Sequence, residues 1–327
     1  MRRRALLMAA FGGALLGISF YPRVVLAQAG LPVVAVLRVT KADSGAALNR
    51  VLRQGLADVG HEDGRTLRLV EYFAEDRVDR LPELAAEIVR ARPDAIIALG
   101  LPAVRATQTV TTSIPIVAVT SFPLELRLVA NLARPGGNLS GVSIFTAELN
   151  VKRLALLREM MPAARTIAVL RDPAATPDEQ MRALDEASQE LRVALYFVDA
   201  GRPEEIATAF RRAREAGSEA VNVLASPMFN GVAGVLAAAA TAAGLPTICQ
   251  WREMTEAGCV MSYGPSYRDT LRAVAKQLDR VLRGVRVSDL PVEQPTNFEL
   301  IVNLKTAKAL GLAIPPSLLA RADEVIE

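Results

Sequence analysis

Residues 132–172 read LARPGGNLSGVSIFTAELNVKRLALLREMMPAARTIAVLRD, and this stretch decides how the whole chain is organised. A strand–helix rhythm runs into it, breaks at Arg134-Pro-Gly-Gly-Asn138 and restarts at Thr166. Pro135 cannot continue a helix, and the paired glycines Gly136 and Gly137 turn without steric penalty. The stretch therefore joins two similar α/β lobes, with the working cleft expected between them. Residues 140–145 are expected to leave the first lobe as a strand, so the crossover falls near 143–146, with Phe145 and Thr146 facing the cleft.

Upstream, residues 33–37 (VVAVL) are a continuous apolar run, as a parallel strand covered on both faces requires. A helix follows, with Leu48, Val51, Leu52, Leu56 and Val59 on one face, Asp43 or Ser44 as cap and Gly60 at its end. Residues 67–74 mix polar and apolar side chains and read as an edge strand. The stripe Leu81, Leu84, Ala85, Ile88 and Val89 gives another helix, and residues 94–99 and 115–119 give central strands. Between them runs a short helix after Pro102, and residues 126–132 are expected to be helical.

Downstream the same order returns. Val151, Leu154, Leu157 and Met161 stripe a helix, and residues 166–170 (TIAVL) form a central strand. Thr176-Pro-Asp-Glu179 has the residues of a capping box. Residues 194–199 suit an edge strand, 203–216 a helix, and 220–224 and 247–250 further strands. Equivalent strands begin 61 residues apart in one half (33 to 94) and 54 apart in the other (166 to 220). Strands alternating with helices imply right-handed βαβ units and a mostly parallel sheet in each half. A helix over 266–282, capped by Ser266 with Asp269, suits a return to the first lobe. Residues 287–297 then suit a further crossover and 298–303 a late strand. The fold class is thus α/β, two Rossmann-like lobes joined by hinge crossovers. The first comprises 30–143 plus 264–297 and the second 144–263 plus 298–327.

Residues 1–29 are set apart. Arg2-Arg3-Arg4 is a basic start, residues 5–18 are uncharged and mostly apolar, and 25–29 offer small residues at the spacing of a signal peptidase site. Pro22 and Arg23 cut the apolar run below the ~20 residues that span a bilayer, so the segment reads as a cleavable signal peptide and the mature protein as periplasmic. The tandem arginines leave Sec and twin-arginine export both open. Removing four arginines and no acid turns the formal charge of +3 into −1, which leaves no positive excess to suggest nucleic acid. About 298 residues remain, enough for two domains. Cys249 and Cys259 read either as a disulfide of an oxidising compartment or as two buried thiols. With two Cys and one His in the chain, a metal site is not expected.

In open parallel sheets, ligands bind beyond the carboxyl ends of the strands. That rule selects Thr40, Ser44, Gly100, Leu101, Pro102, Thr120, Ser121 and Phe122 in the first lobe. In the second it selects Asp172, Ser226, Pro227, Gln250, Trp251 and Tyr263. Hydroxyls and helix N–H groups there accept an anion, Asp172 can receive an ammonium, and aromatic rings can sandwich a flat body. Each position also has a structural reading, as helix cap, turn or core. Enzyme signatures do not appear: there is no strand-following G-x-G-x-x-G, phosphate loop, H-E-x-x-H or nucleophile elbow. His61, the single histidine, sits in a turn at the opposite end of the sheet, so no His-dependent triad is expected. No cofactor is expected.

Several motifs carry a resemblance. They are Leu52-Arg-Gln-Gly-Leu56 with Gly60, residues 79–87 (DRLPELAAE), 128–138 (LVANLARPGGN), Lys152-Arg-Leu154, Trp251-Arg-Glu253, Met261-Ser-Tyr-Gly-Pro265 and 294–311 (QPTNFELIVNLKTAKALG). Together they resemble the ABC-transporter substrate-binding proteins of the TrpX-like family, within the type I periplasmic binding proteins, from about residue 33 to the C-terminus. The resemblance implies a monomeric receptor that is not an enzyme. It would close on an amino-acid-like or aromatic small molecule and present it to an ABC permease driven by its ATPase. The alternative reading is a secreted α/β enzyme using the same cleft. Phe122-Pro123 and Arg171-Asp172-Pro173 depart from the family's usual Asp-Pro and Asn-Pro, both at the expected cleft.

Overall fold

The structure, a computed structural model, describes residues 30–43, 46–121, 126–144 and 146–327, with the side chains of 46–48, 146 and 179 left out. The signal-peptide reading of 1–29, Ser44, Phe122 and Phe145, together with the side chains of Leu48 and Thr146, lie outside the described residues.

The first half runs β1 (Val33–Arg38), α1 (Ala46–Asp58), β2 (Arg68–Phe73), α2 (Leu81–Ala91), β3 (Ala95–Leu99), α3 (Leu101–Val110), β4 (Ile116–Thr120) and β5 (Leu139–Ser143). The second runs α4 (Thr146–Met160), β6 (Thr166–Arg171), α5 (Asp178–Leu191), β7 (Ala194–Asp199), α6 (Ile206–Glu215), β8 (Ala220–Val223), α7 (Pro227–Gly231), α8 (Ala233–Ala243), β9 (Thr247–Cys249), α9 (Arg252–Glu256) and β10 (Met261–Pro265). The chain ends with α10 (Tyr267–Leu282), β11 (Phe298–Asn303), α11 (Leu304–Ala309), α12 (Pro316–Leu319) and β12 (Glu324–Ile326).

Two sheets result. The first has the order β2-β1-β3-β4-β5, the second β12-β11-β10-β9-β8-β6-β7. The run β7-β6-β8-β9-β10 repeats the order of the first sheet, so the duplication read from strand spacing is a duplication of topology. All pairings are parallel except β10 with β11. The apolar runs are continuous because both faces are covered. In β6, Ala168 and Leu170 pack into one cluster with α6 and α8, while Ile167 and Val169 pack on the other face with α4 and α5. Burying each of the larger side chains, Ile167, Val169 and Leu170, contributes roughly 1.5–3 kcal/mol.

Three local expectations are corrected. Residues 126–132 form turns, not a helix. Leu128, Val129 and Leu132 do pack inward, but Arg127 is left-handed (φ 53°) and Asn131 Oδ1 takes the Arg134 N–H at 2.6 Å, competing with helical bonding. Thr176 does not cap α5: its backbone N–H goes to Asp172 O at 2.9 Å, and the cap position falls on Pro177. The 139–143 strand does not leave the first lobe but is its edge strand, paired to β4. Gly141 permits that approach, because its φ is +141° and a Cβ there would sit 2.0 Å from Ala118 O.

Residues 287–297 return along β5. Ser143 N–H donates to Glu293 O and Glu293 N–H to Gly141 O, both at 2.8 Å. Gln277, on α10, seals this crossing by donating to Gly141 O (3.1 Å) and Pro291 O (3.0 Å). Helix α10, capped by Ser266 Oγ on the Asp269 N–H, lies against α1 and β3–β5. His61 is tied to it through Asp279 at 2.9 Å, far from any strand's carboxyl end. Cys249 and Cys259 are free, buried thiols with sulfurs 2.8 Å apart. No helix among the described residues is long and apolar enough to cross a membrane.

Candidate functional site

The carboxyl ends of the two sheets meet around one cavity, whose empty space together with the open solvent at its mouth is about 660 Å³. From the first lobe, β1 contributes Arg38, Val39 and Thr40, β3 delivers Leu99, Gly100 and Leu101, β4 delivers Val119, Thr120 and Ser121, and Ile144 follows β5. From the second, β8 delivers Ala225, Ser226, Pro227 and Asn230, β9 delivers Gln250 and Trp251, and Ala175 follows β6. Tyr267, the first residue of α10, completes the wall.

The lobes touch at Gly100 and Pro227. Gly100 has φ +93°, and a Cβ there would lie 2.3 Å from Pro227 Cγ. Glycine at this strand end therefore serves both the turn into α3 and the approach of the second lobe.

Of the residues selected from the sequence, Thr40, Gly100, Leu101, Thr120, Ser121, Ser226, Pro227, Gln250 and Trp251 line this cavity. Three do not. Tyr263 points to the opposite face of the second sheet, where it stacks on Phe298 with ring centroids 6.3 Å apart; side chains alternate along β10, so the strand-end rule chose the right strand and the wrong face. Pro102 is buried in the first turn of α3, one residue beyond the lining. Asp172 is buried behind Ser226: its carboxylate accepts the Ser226 hydroxyl at 2.6 Å and the Ala174 N–H at 3.0 Å, so its oxygens are used within the protein and not offered to an ammonium. Burial raises its pKa, with these hydrogen bonds opposing. Ser226 Oγ in turn accepts from Met228 N, fixing the start of α7.

Among the lining residues with polar side chains, three were not selected: Arg38, Asn230 and Tyr267. Arg38 ends the first apolar strand, and a charged residue closing such a run was the available signal. Its guanidinium is 3% exposed, and burial lowers its pKa while Tyr267 and Glu71 pull the other way. Tyr267, whose hydroxyl burial pushes up, packs edge to face on Trp251. Nothing in the local pattern around Tyr267 distinguishes it from any helix-opening residue. No cluster of three metal-ligating side chains occurs among the described residues.

Two mostly parallel sheets that share a five-strand order, facing each other across a cavity built from their strand ends, define a type I periplasmic binding protein fold. The chain belongs to the family of ABC transporter substrate binding proteins, whose profile matches residues 33–326. Among characterised proteins it is similar to the tyrosine-binding protein of Clostridioides difficile (strain R20291), 26% identical over 259 residues that cover 77% of this chain and 73% of the relative. A conserved domain protein from Vibrio cholerae superposes with a TM-score of 0.83 at 24% identity, covering 90% of this chain and all of that one. An ABC domain in complex with L-Trp from Streptococcus pneumonia superposes at 0.82 and 21% identity, covering 91% of this chain and all of that one.

Proposed function

We propose that this chain is the exported receptor of an ABC importer. It captures a small amino-acid-like or aromatic molecule between its lobes and delivers it to a membrane permease driven by an ATPase. The observation that carries this reading is the shared cavity: Trp251 from one lobe, and Thr120 and Ser121 from the other, line the same space. Tyrosine and tryptophan in the descriptions of two relatives support the ligand class. The N-terminal 29 residues support export. The lobes, 30–143 plus 264–297 and 144–263 plus 298–327, move as units about three crossings near residues 143, 264 and 297, and closure brings Pro227 onto Gly100. The receptor works as a monomer and requires no cofactor.

The test is thermal shift of the mature protein against amino acids, aromatic acids and sugars. A ligand of the folded state at one hundred times its Kd adds about 2.7 kcal/mol. Stabilisation without turnover is the expected outcome, and chemical conversion of the stabilising compound overturns the reading in favour of a secreted enzyme.

A further inference from the structure

The cavity's polar groups restrict what it can hold. Arg38 is 3% exposed, yet neither Nε nor Nη2 has a hydrogen-bond partner among the described residues. Glu71 Oε1 is 3.9 Å from Nη2, beyond hydrogen-bond reach, and Glu71 also faces Arg53 Nη2 at 3.4 Å. Tyr267 interacts with the guanidinium, but two N–H groups removed from water and left unbonded are costly, and the geometry that satisfies two adjacent N–H donors together is the pair of oxygens of one carboxylate.

The remaining polar atoms are neutral. Gln250 is buried with both Nε2 and Oε1 unpartnered, and Asn230 Oδ1 is unpartnered as well; both residues line the cavity. They offer a donor and two acceptors to uncharged groups such as a hydroxyl or an amide. No Asp or Glu occurs among the described lining residues, and the nearby Asp172 is occupied by Ser226. An ammonium placed in this space would meet the Arg38 cation and no carboxylate among the described lining residues, in surroundings too buried to screen the repulsion.

We propose that the ligand is an organic acid with one carboxylate and no ammonium group, its carboxylate oxygens on Arg38 Nε and Nη2, its neutral polar group on Gln250 and Asn230, and its apolar body against Trp251. This rests on the capture of a small molecule argued above and narrows it away from free amino acids. Arg38 is then the residue that sets specificity by charge.

The experiment is calorimetric titration of the mature protein with matched compounds: 4-hydroxyphenylacetate, tyrosine and tyramine; indole-3-acetate, tryptophan and tryptamine. A thermal-shift panel of other monocarboxylates, each beside its amide, accompanies it. At least one acid is expected to bind about tenfold or more tighter than its amino acid, amine and amide counterparts. In Arg38→Met that acid loses about a hundredfold in affinity and its preference over the amide falls to about one, whereas Arg38→Lys, which keeps the charge without the fork, is intermediate. A merely structural Arg38 would weaken acid and amide alike, so an unchanged acid-to-amide ratio in Arg38→Met overturns the proposal. An amino acid that binds as tightly as its matched acid, or stabilisation by other classes with none by carboxylates, also overturns it while leaving the receptor reading intact. Failure of every compound of every class overturns both.

Discussion

Trp251 and Tyr267 meet edge to face, with ring centroids 4.9 Å apart and planes at 84°. Trp251 follows β9 of the second sheet, whereas Tyr267 opens the helix that covers the first. Tyr267 also influences the Arg38 guanidinium. One half-buried tyrosine therefore links a cavity wall from one lobe to the charged group of the other, at the point where the chain passes between them.

Trp251→Ala removes both the cavity wall and the partner of Tyr267. Large aromatic truncations in a core cost about 3–5 kcal/mol, and the edge-to-face pair accounts for about 0.5–1.5 of that. The variant is expected to unfold at lower denaturant and to bind the ligand at least tenfold more weakly (about 1.4 kcal/mol). Trp251→Phe should recover most of the stability. Full affinity in Trp251→Ala, measured calorimetrically, would remove this residue from the site.

Gly100→Ala tests closure. The new Cβ would meet Pro227 Cγ, and the left-handed backbone adds strain of about 1–3 kcal/mol whether or not the lobes touch. Ligand-induced compaction, read by small-angle scattering, should be reduced in Gly100→Ala. The double variant Gly100→Ala/Pro227→Ala removes the clash and keeps the strain, so it should regain compaction without regaining the lost stability. Equal behaviour of the two variants would show that the contact does not limit closure.

Gly141→Ala addresses the edge of the first sheet. With backbone atoms of Ala118 at 2.0 and 2.4 Å from a Cβ, the strand must move outward and loosen the contacts of Glu293 and Gln277. The expected loss lies at or above the top of the ~1–3 kcal/mol typical of overpacking, measurable as a lower denaturation midpoint.

Asp172 makes a pH-dependent contribution whose sign follows from burial. Its folded pKa is raised above the ordinary 3.8 by desolvation, so the fold favours the protonated acid. That contribution is complete below pH 3.8 and is lost as pH rises through the raised folded value, after which it is constant. Asp172→Asn does not titrate. The Tm difference, wild type minus Asp172→Asn, should therefore fall from pH 3.8 upward and level off. A flat difference would mean that the carboxylate is not penalised by burial.

The duplicated strand–helix order was legible because a strand covered on both faces must be apolar throughout, and a helix between such strands must show an apolar stripe. VVAVL, TIAVL and the helix stripes state this locally. The same local logic misread residues 126–132, where apolar spacing suits a helix but the side chain of Asn131 and the left-handed Arg127 hold turns.

By itself, then, the sequence determined the two-sheet architecture, the motifs of its family and the strand ends at which a ligand site can form, since each follows from period, polarity and turn chemistry within a few residues. Tertiary structure alone decided which groups at those ends remain available. Asp172 is used by Ser226, Tyr263 faces away with Phe298, and Arg38 keeps Nε and Nη2 unpartnered beside Tyr267. Whether a polar group is free depends on partners brought close by the pairing of two sheets and the passage of the chain between them, and no local pattern encodes that proximity.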